Sequence, residues 1–162
     1  MAAYAGSVLF SQNPCSGEKD TLCVFDMLCM TWELSRGVAS ATTASVDPVD
    51  LARRALKRQT SLELAEDDFR QAPVVTAGRG SFFVIQIPPS IRRVIALSSR
   101  NKTVSAWIRT EDAMRILRKD HARVLAEASL REPLVCNSLV VPFAIQRLLQ
   151  TIIPSSSPEV NR

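Results

Sequence analysis

Few side chains in this 162-residue chain are of types that do chemistry, and their spacing gathers none of them into a constellation. The one imidazole, His121, has the right pKa for a general base. It falls, however, on a helical stripe with Met114, Leu117, Val124, Leu125 and Ala128, which is the place of a partly buried core histidine. Glu66, Asp67 and Asp68 are adjacent carboxylates, but neighbours in a helix point in different directions and hold no site together. The cysteines Cys15, Cys23, Cys29 and Cys136 lack C-x-x-C spacing, so no zinc ligand set is indicated. Without a basic region before the short apolar "AYAGSVLF", no secretory signal is read, and the thiols are expected reduced. The glycines of "AGRG" are not followed by G-K-[ST], and the serines form no G-x-S-x-G elbow. The expectation is therefore a protein that is not an enzyme and has no metal or cofactor.

Charge points towards binding. Residues 1–50 hold two basic and six acidic side chains, whereas residues 79–147 hold twelve basic and five acidic. A basic face favours an acidic partner, whether protein, nucleic acid or anionic lipid. Arg115, Arg118, Lys119 and Arg123 share one side of a helical pattern, with Arg92 and Arg93 nearby in sequence, and such a surface could track phosphates. The expected strands nevertheless lack the exposed aromatic pair on which RNA bases stack, leaving Phe82 and Trp107 as candidates. No apolar run approaches the length of a membrane span.

The elements that would carry these residues are read from periodicity. Residues 1–20 are expected to be flexible, and the apolar "TLCVFDMLCMTWEL" (21–34) is helix-compatible. "DPVDLARRALKRQ" starts as a helix should, with Asp47 as cap, Pro48 in the first turn and Asp50 favoured by the helix dipole. "TAGRG" marks a break near Gly78. Beyond it, "FFVIQI", "RRVIAL" and "TVSAWI" read as three strands, the last two a hairpin turning near Asn101. One long helix, capped by Thr110, should end before Pro133. "LVCNSLVVPF" reads as a closing strand and "AIQRLLQTII" as a short helix. The expected fold is α+β: a flexible, partly helical region over 1–78, a compact two-layer β-β-β-α-β domain over 79–150, and a disordered tail over 151–162.

In this order of elements, "IQIPPSIRRVIAL", "KTVSAWI", "RILRKDHARVLAEASL" and "VCNSLVV" resemble the substrate-specificity-switch domain of flagellar hook-length control proteins and type III secretion needle-length regulators. The likeness covers about residues 83–141, with Arg92 standing where that family usually has glycine. It implies a regulator that binds the cytoplasmic domain of the export-gate autoprotease, and early secretion substrates with it, and so switches export. Such a protein would sit in the bacterial cytoplasm or leave through the apparatus. The contact residues implied are Pro88, Pro89, Ile91, Arg92, Arg93 and Val94 at the corner, and Arg115, Arg118 and Lys119 on the helix. The alternative expectation is a basic nucleic-acid-binding or capsid-like structural protein.

Overall fold

The computed structural model describes residues 3–40, 46–95 and 102–136. Its centre is β1 (Tyr4–Gln12), a strand from the segment expected to be flexible. β1 runs parallel to β6 (Gly80–Gln86), in register from Tyr4 opposite Gly80 to Phe10 opposite Gln86. On its other side β1 pairs antiparallel with β2 (Lys19–Asp26) through Phe10–Gln12, and with β4 (Ser35–Val38) through Tyr4–Ser7. β2 in turn pairs with β3 (Thr31–Glu33) and with β7 (Thr103–Arg109). β5 (Val74–Ala77) and β8 (Leu134–Val135) flank β6, completing a mixed eight-stranded sheet among the described residues. Gly6 permits the close lie of β4 on β1, since a Cβ there would stand 2.2 Å from the Ser35 carbonyl oxygen.

Alternation along the strands divides the core into two layers. Ala5 and Leu9 of β1, with Phe83, Ile85 and Ile87, pack under α1 (Pro48–Thr60) and α2 (Glu66–Gln71). Val8 and Phe10, with Phe82 and Val84, pack under α4 (Thr110–Ile116) and α5 (Lys119–Ser129). Helices thus cover both faces of the sheet. Parallel neighbours cannot be joined by a tight turn, and α1 and α2 lie on the long connection between β1 and β6.

The mixed α+β class holds, but the particular arrangement expected does not. Gly78 lies in the tight turn between β5 and β6, so the expected domain boundary falls inside one sheet. The segment 21–34 is not a helix but most of β2, a turn and β3, and Leu22 and Cys23 are buried on opposite faces of the sheet. A strand covered on both sides is apolar at every position and imitates a buried helix. "RRVIAL" supplies the end of a helix, α3 (Pro89–Ile95). Pro89 opens it, where proline's fixed φ suits a first turn and its missing N–H costs nothing. The strand expected at 103–108 is present, yet it pairs with β2. The single long helix is two: at Leu117 the backbone turns extended, and the Arg118 N–H donates to the Trp32 carbonyl at 3.3 Å. Thr110 is not the cap expected, its hydroxyl donating instead to the Lys19 carbonyl at 2.8 Å. The closing strand is described only as β8, and the expected helix at 144–153 and tail over 151–162 lie outside the described residues.

His121 fastens α5 to the sheet. It is 1% exposed, and its Nδ1 accepts the Leu34 N–H at 2.9 Å. That bond requires the proton on Nε2, which finds no hydrogen-bond partner among the described residues. The Phe82 ring meets the imidazole edge to face, centroids 5.6 Å apart. Burial holds the imidazole pKa down to about 4, with Asp120 opposing and Arg36 assisting. Because the folded value is depressed below the ordinary 6.5, the stability from neutral His121 is present above that pH and is lost as pH falls towards 4. About 3 kcal/mol is at stake over this window. Urea unfolding followed by circular dichroism should show the loss setting in below pH 6.5, before carboxylates begin to titrate at about pH 5. In His121→Gln the slope between pH 6.5 and about 5 should disappear.

Candidate functional site

The cleft best suited to a ligand lies between α1 and the strand that leads to it. Its described lining is Gly37, Val38, Ala39 and Ser40 from β4 and its continuation, then Val46, Leu51, Arg54, Ala55 and Arg58. The described residues bound a space of about 290 Å³. α1 forms here for the local reasons the sequence suggests. Asp47 Oδ1 accepts the Val49 N–H at 3.0 Å, Pro48 opens the first turn, and Lys57 and Arg58 occupy the last. Val49, Ala52, Ala55 and Leu56 face inwards, so the four-residue step from Arg54 to Arg58 runs along the outer side. Residues four apart on a helix are neighbours, with Cβ atoms roughly 5–6 Å apart.

Two details keep the cleft in shape. Gln59, on the last turn of α1, grips β4 through both ends of its amide. Its Oε1 accepts the Ser35 hydroxyl at 2.8 Å and the Arg36 N–H at 3.2 Å, and its Nε2 donates to the Arg36 carbonyl at 3.3 Å. Gly37 then lets β4 lie flat on α1, since a Cβ there would come within 3.0–3.2 Å of Leu51 and Ala55.

The charges on α1 are sorted by side. Arg53 pairs with Asp50 at 3.6 Å and Glu66 at 3.4 Å, and Lys57 pairs with Glu63 at 2.8 Å. Asp47 is held below the usual carboxylate range, first by the Val49 N–H and then by Arg70. Arg54 and Arg58 are the charged side chains among the described lining of the cleft, and Ser40 adds a hydroxyl. Guanidinium groups one turn apart suit an anion with several oxygens, because their donors match carboxylate and phosphate geometry. The cleft can therefore hold phosphate.

Two other hollows are less suited to a phosphate. One, of about 380 Å³, has Asp120 and Glu127 beside Arg123 and Tyr4. The other, of about 260 Å³, is lined by Ser11, Gln12, Lys19 and Gln86, with the Lys19 ammonium 5.0 Å from the Phe10 ring centroid. Cys23 is not available for thiol chemistry, since burial pushes its pKa up to about 12.

The residues expected to contact a partner are scattered by the fold. Pro88 precedes α3 and Pro89 opens it. Ile91 packs on the core beneath α1, and Arg92 is an internal tie. The Arg92 guanidinium pairs with buried Asp20 and stacks 5.5 Å from the Trp107 ring centroid. Arg93 and Val94 contribute backbone to α3, and their side chains lie outside the described residues. Arg115 is exposed and near Asp112 at 3.7 Å, while Arg118 binds Glu33 at 2.9 Å and Asp120 at 3.5 Å. Lys119 begins α5 on the surface. Much of the basic face is thus engaged with the protein's own carboxylates. Arg54 and Arg58 were absent from the expected site, although their spacing opposite the apolar stripe was readable.

By sequence, no protein-family model matches the chain and no curated protein is found to be similar. Solved structures are similar in fold. An Ap4A hydrolase from C. elegans aligns with a TM-score of 0.55 at 14% identity, over 80% of this chain and 96% of that one. A mutT/nudix family protein from Listeria innocua gives 0.55 at 15%, over 93% and 97%. The NUDIX domain of Shewanella oneidensis NrtR, solved with ADP ribose, gives 0.53 at 13%, over 78% and 85%. The chain has the Nudix fold. This overturns the resemblance to secretion-switch proteins, and with it the export-gate partner and the regulator of needle or hook length. The expectation of a non-enzyme loses its footing as well, since an Ap4A hydrolase is among the structures with this fold.

Gln59→Ala removes three hydrogen bonds and leaves the part-buried N–H and carbonyl of Arg36 without these partners. A loss of about 1–3 kcal/mol is expected in chemical denaturation. Gly37→Val, which forces β4 off α1, should alter ligand binding in the cleft beyond any change in stability.

Proposed function

We propose that the chain acts on a nucleoside phosphate containing a phosphoanhydride bond and hydrolyses it, with the phosphates held in the α1 cleft. The carrying observation is the pair Arg54 and Arg58, one turn apart on a wall facing the Gly37–Ser40 backbone. The fold supports the substrate class, since similar structures are named for an Ap4A hydrolase and for a complex with ADP ribose. The volume of about 290 Å³ sits at the lower edge of small-ligand sites, which run from roughly 300 to 1,000 Å³. It accommodates the phosphate end and leaves the nucleoside to lie along adjoining surface.

In this reading a water oxygen bonds to one phosphorus while the bridging P–O bond breaks. The bridging oxygen departs with the leaving phosphate, and the proton of the attacking water passes to solvent or to that product. Arg54 and Arg58 orient the substrate and stabilise the charge that builds on the phosphoryl oxygens. The described lining contains neither carboxylate nor imidazole to take the proton. Turnover should accordingly fall below the usual range for enzymes, under about 1 s⁻¹.

The test is incubation of the purified chain with Ap4A, ADP-ribose and nucleoside triphosphates, with products separated by chromatography and binding followed by calorimetry. Hydrolysis of at least one compound, reduced tenfold or more in Arg54→Gln/Arg58→Gln at unchanged melting temperature, is expected. Absence of both binding and hydrolysis across the series would overturn the proposal.

A further inference from the structure

Phosphoryl-transfer sites often recruit a divalent cation, held by one or two carboxylates together with the substrate phosphates. The residues of this cleft do not fit such an ion. Its described polar side chains are Ser40, Arg54 and Arg58, and two guanidinium groups repel a cation as strongly as they attract phosphate. The carboxylates nearest along the chain are engaged elsewhere: Asp50 and Glu66 on Arg53, Glu63 on Lys57, and Asp47 on Arg70. Gln59, which has an amide oxygen that could ligate a metal, gives that oxygen to Ser35 and Arg36.

From this disagreement, and resting on the function proposed above, we infer that the cleft takes the phosphates of its ligand without a divalent cation. Arg54 and Arg58 supply the positive charge instead. Arginine is suited to this substitution: it stays protonated at every relevant pH, and each guanidinium can bond two phosphate oxygens at once. Two such groups one turn apart can meet two phosphates of a diphosphate. Recognition then depends on ionic strength and on the arginine fork, and not on available magnesium.

The experiment measures binding of ADP-ribose and of ATP to the full chain by calorimetry, once in EDTA and once in millimolar magnesium chloride. The dissociation constants should agree within about threefold, or be weaker with magnesium, which competes for the phosphates. Raising the salt should weaken binding in both buffers, because phosphate contacts of this kind are screened. In EDTA, Arg54→Glu/Arg58→Glu should lose binding at least thirtyfold, while Arg54→Lys/Arg58→Lys keeps part of it. Circular dichroism and melting temperature establish that the exposed substitutions leave the fold intact. Binding that vanishes in EDTA and returns with magnesium would overturn the inference while leaving the proposed substrate class standing. Binding in neither buffer would overturn the substrate class itself, and the two failures are thereby told apart.

Discussion

The structure depends on one long-range pairing, the parallel ladder between β1 and β6. It joins the first dozen residues to the strand beginning at Gly80, seven registered pairs from Tyr4–Gly80 to Phe10–Gln86. Closing so large a loop costs entropy before any contact forms. The return is a pair of strands buried on both faces, on which each helical layer finds its apolar surface. Tyr4 secures the start of the ladder: its hydroxyl donates to the Ala77 carbonyl at 2.5 Å, and its ring meets Phe82 edge to face. Gly80 is required there, since a Cβ would fall within the Tyr4 ring. Because β1 and β6 run the same way, the chain must cross between them, and α1 lies on that crossing. The place of the cleft follows from the ladder.

What local signals could disclose, they did. Asp47 and Pro48 mark the start of α1, and alternating or β-branched runs mark β6 and β7. The stripe through His121, Val124, Leu125 and Ala128 is the buried face of α5. The errors share a physical cause. β1 and β2 are apolar on both faces and lose the alternation by which a strand is recognised. α3 carries "RRV", β-branched residue included, and only Pro89 betrays its helical start. Neighbours in sequence, 92–97 and 103–108, were expected to pair because hairpins are common. β7 found β2 instead, and nothing local encodes a partner some eighty residues away.

The site was partly legible for a different reason. Expectation followed the excess of basic residues in the C-terminal half, where net charge is greatest. Net charge is a poor guide once pairing is considered. Arg92 stacks on Trp107 and neutralises Asp20, Arg109 binds Glu18 and Asp112, and Arg118 ties Glu33. These pairs fasten the sheet edge and α5 to the N-terminal strands. The acidic first half and basic second half are complementary parts of one body, and several of their opposite charges meet where its elements join, some buried and some at the surface.

Helix α1 applies the same sorting over a single pair of turns. Its basic residues alternate between two sides, Arg53 and Lys57 against Arg54 and Arg58, each pair separated by four positions. The side towards α2 meets Glu63 and Glu66, which neutralise it. The other side meets the Gly37–Ser40 backbone, whose described residues bring no acidic side chain. A helix inserted between an acidic flank and a glycine-bearing strand therefore becomes electrically asymmetric without any unusual residue. The same 3.6-residue period that buries Ala52 and Leu56 decides which cations lie towards Glu63 and Glu66 and which line the cleft. The composition of the cleft wall is thus a consequence of helix phase, and shifting α1 by one residue would take Ala52 and Leu56 out of the core and Arg54 and Arg58 off the cleft together.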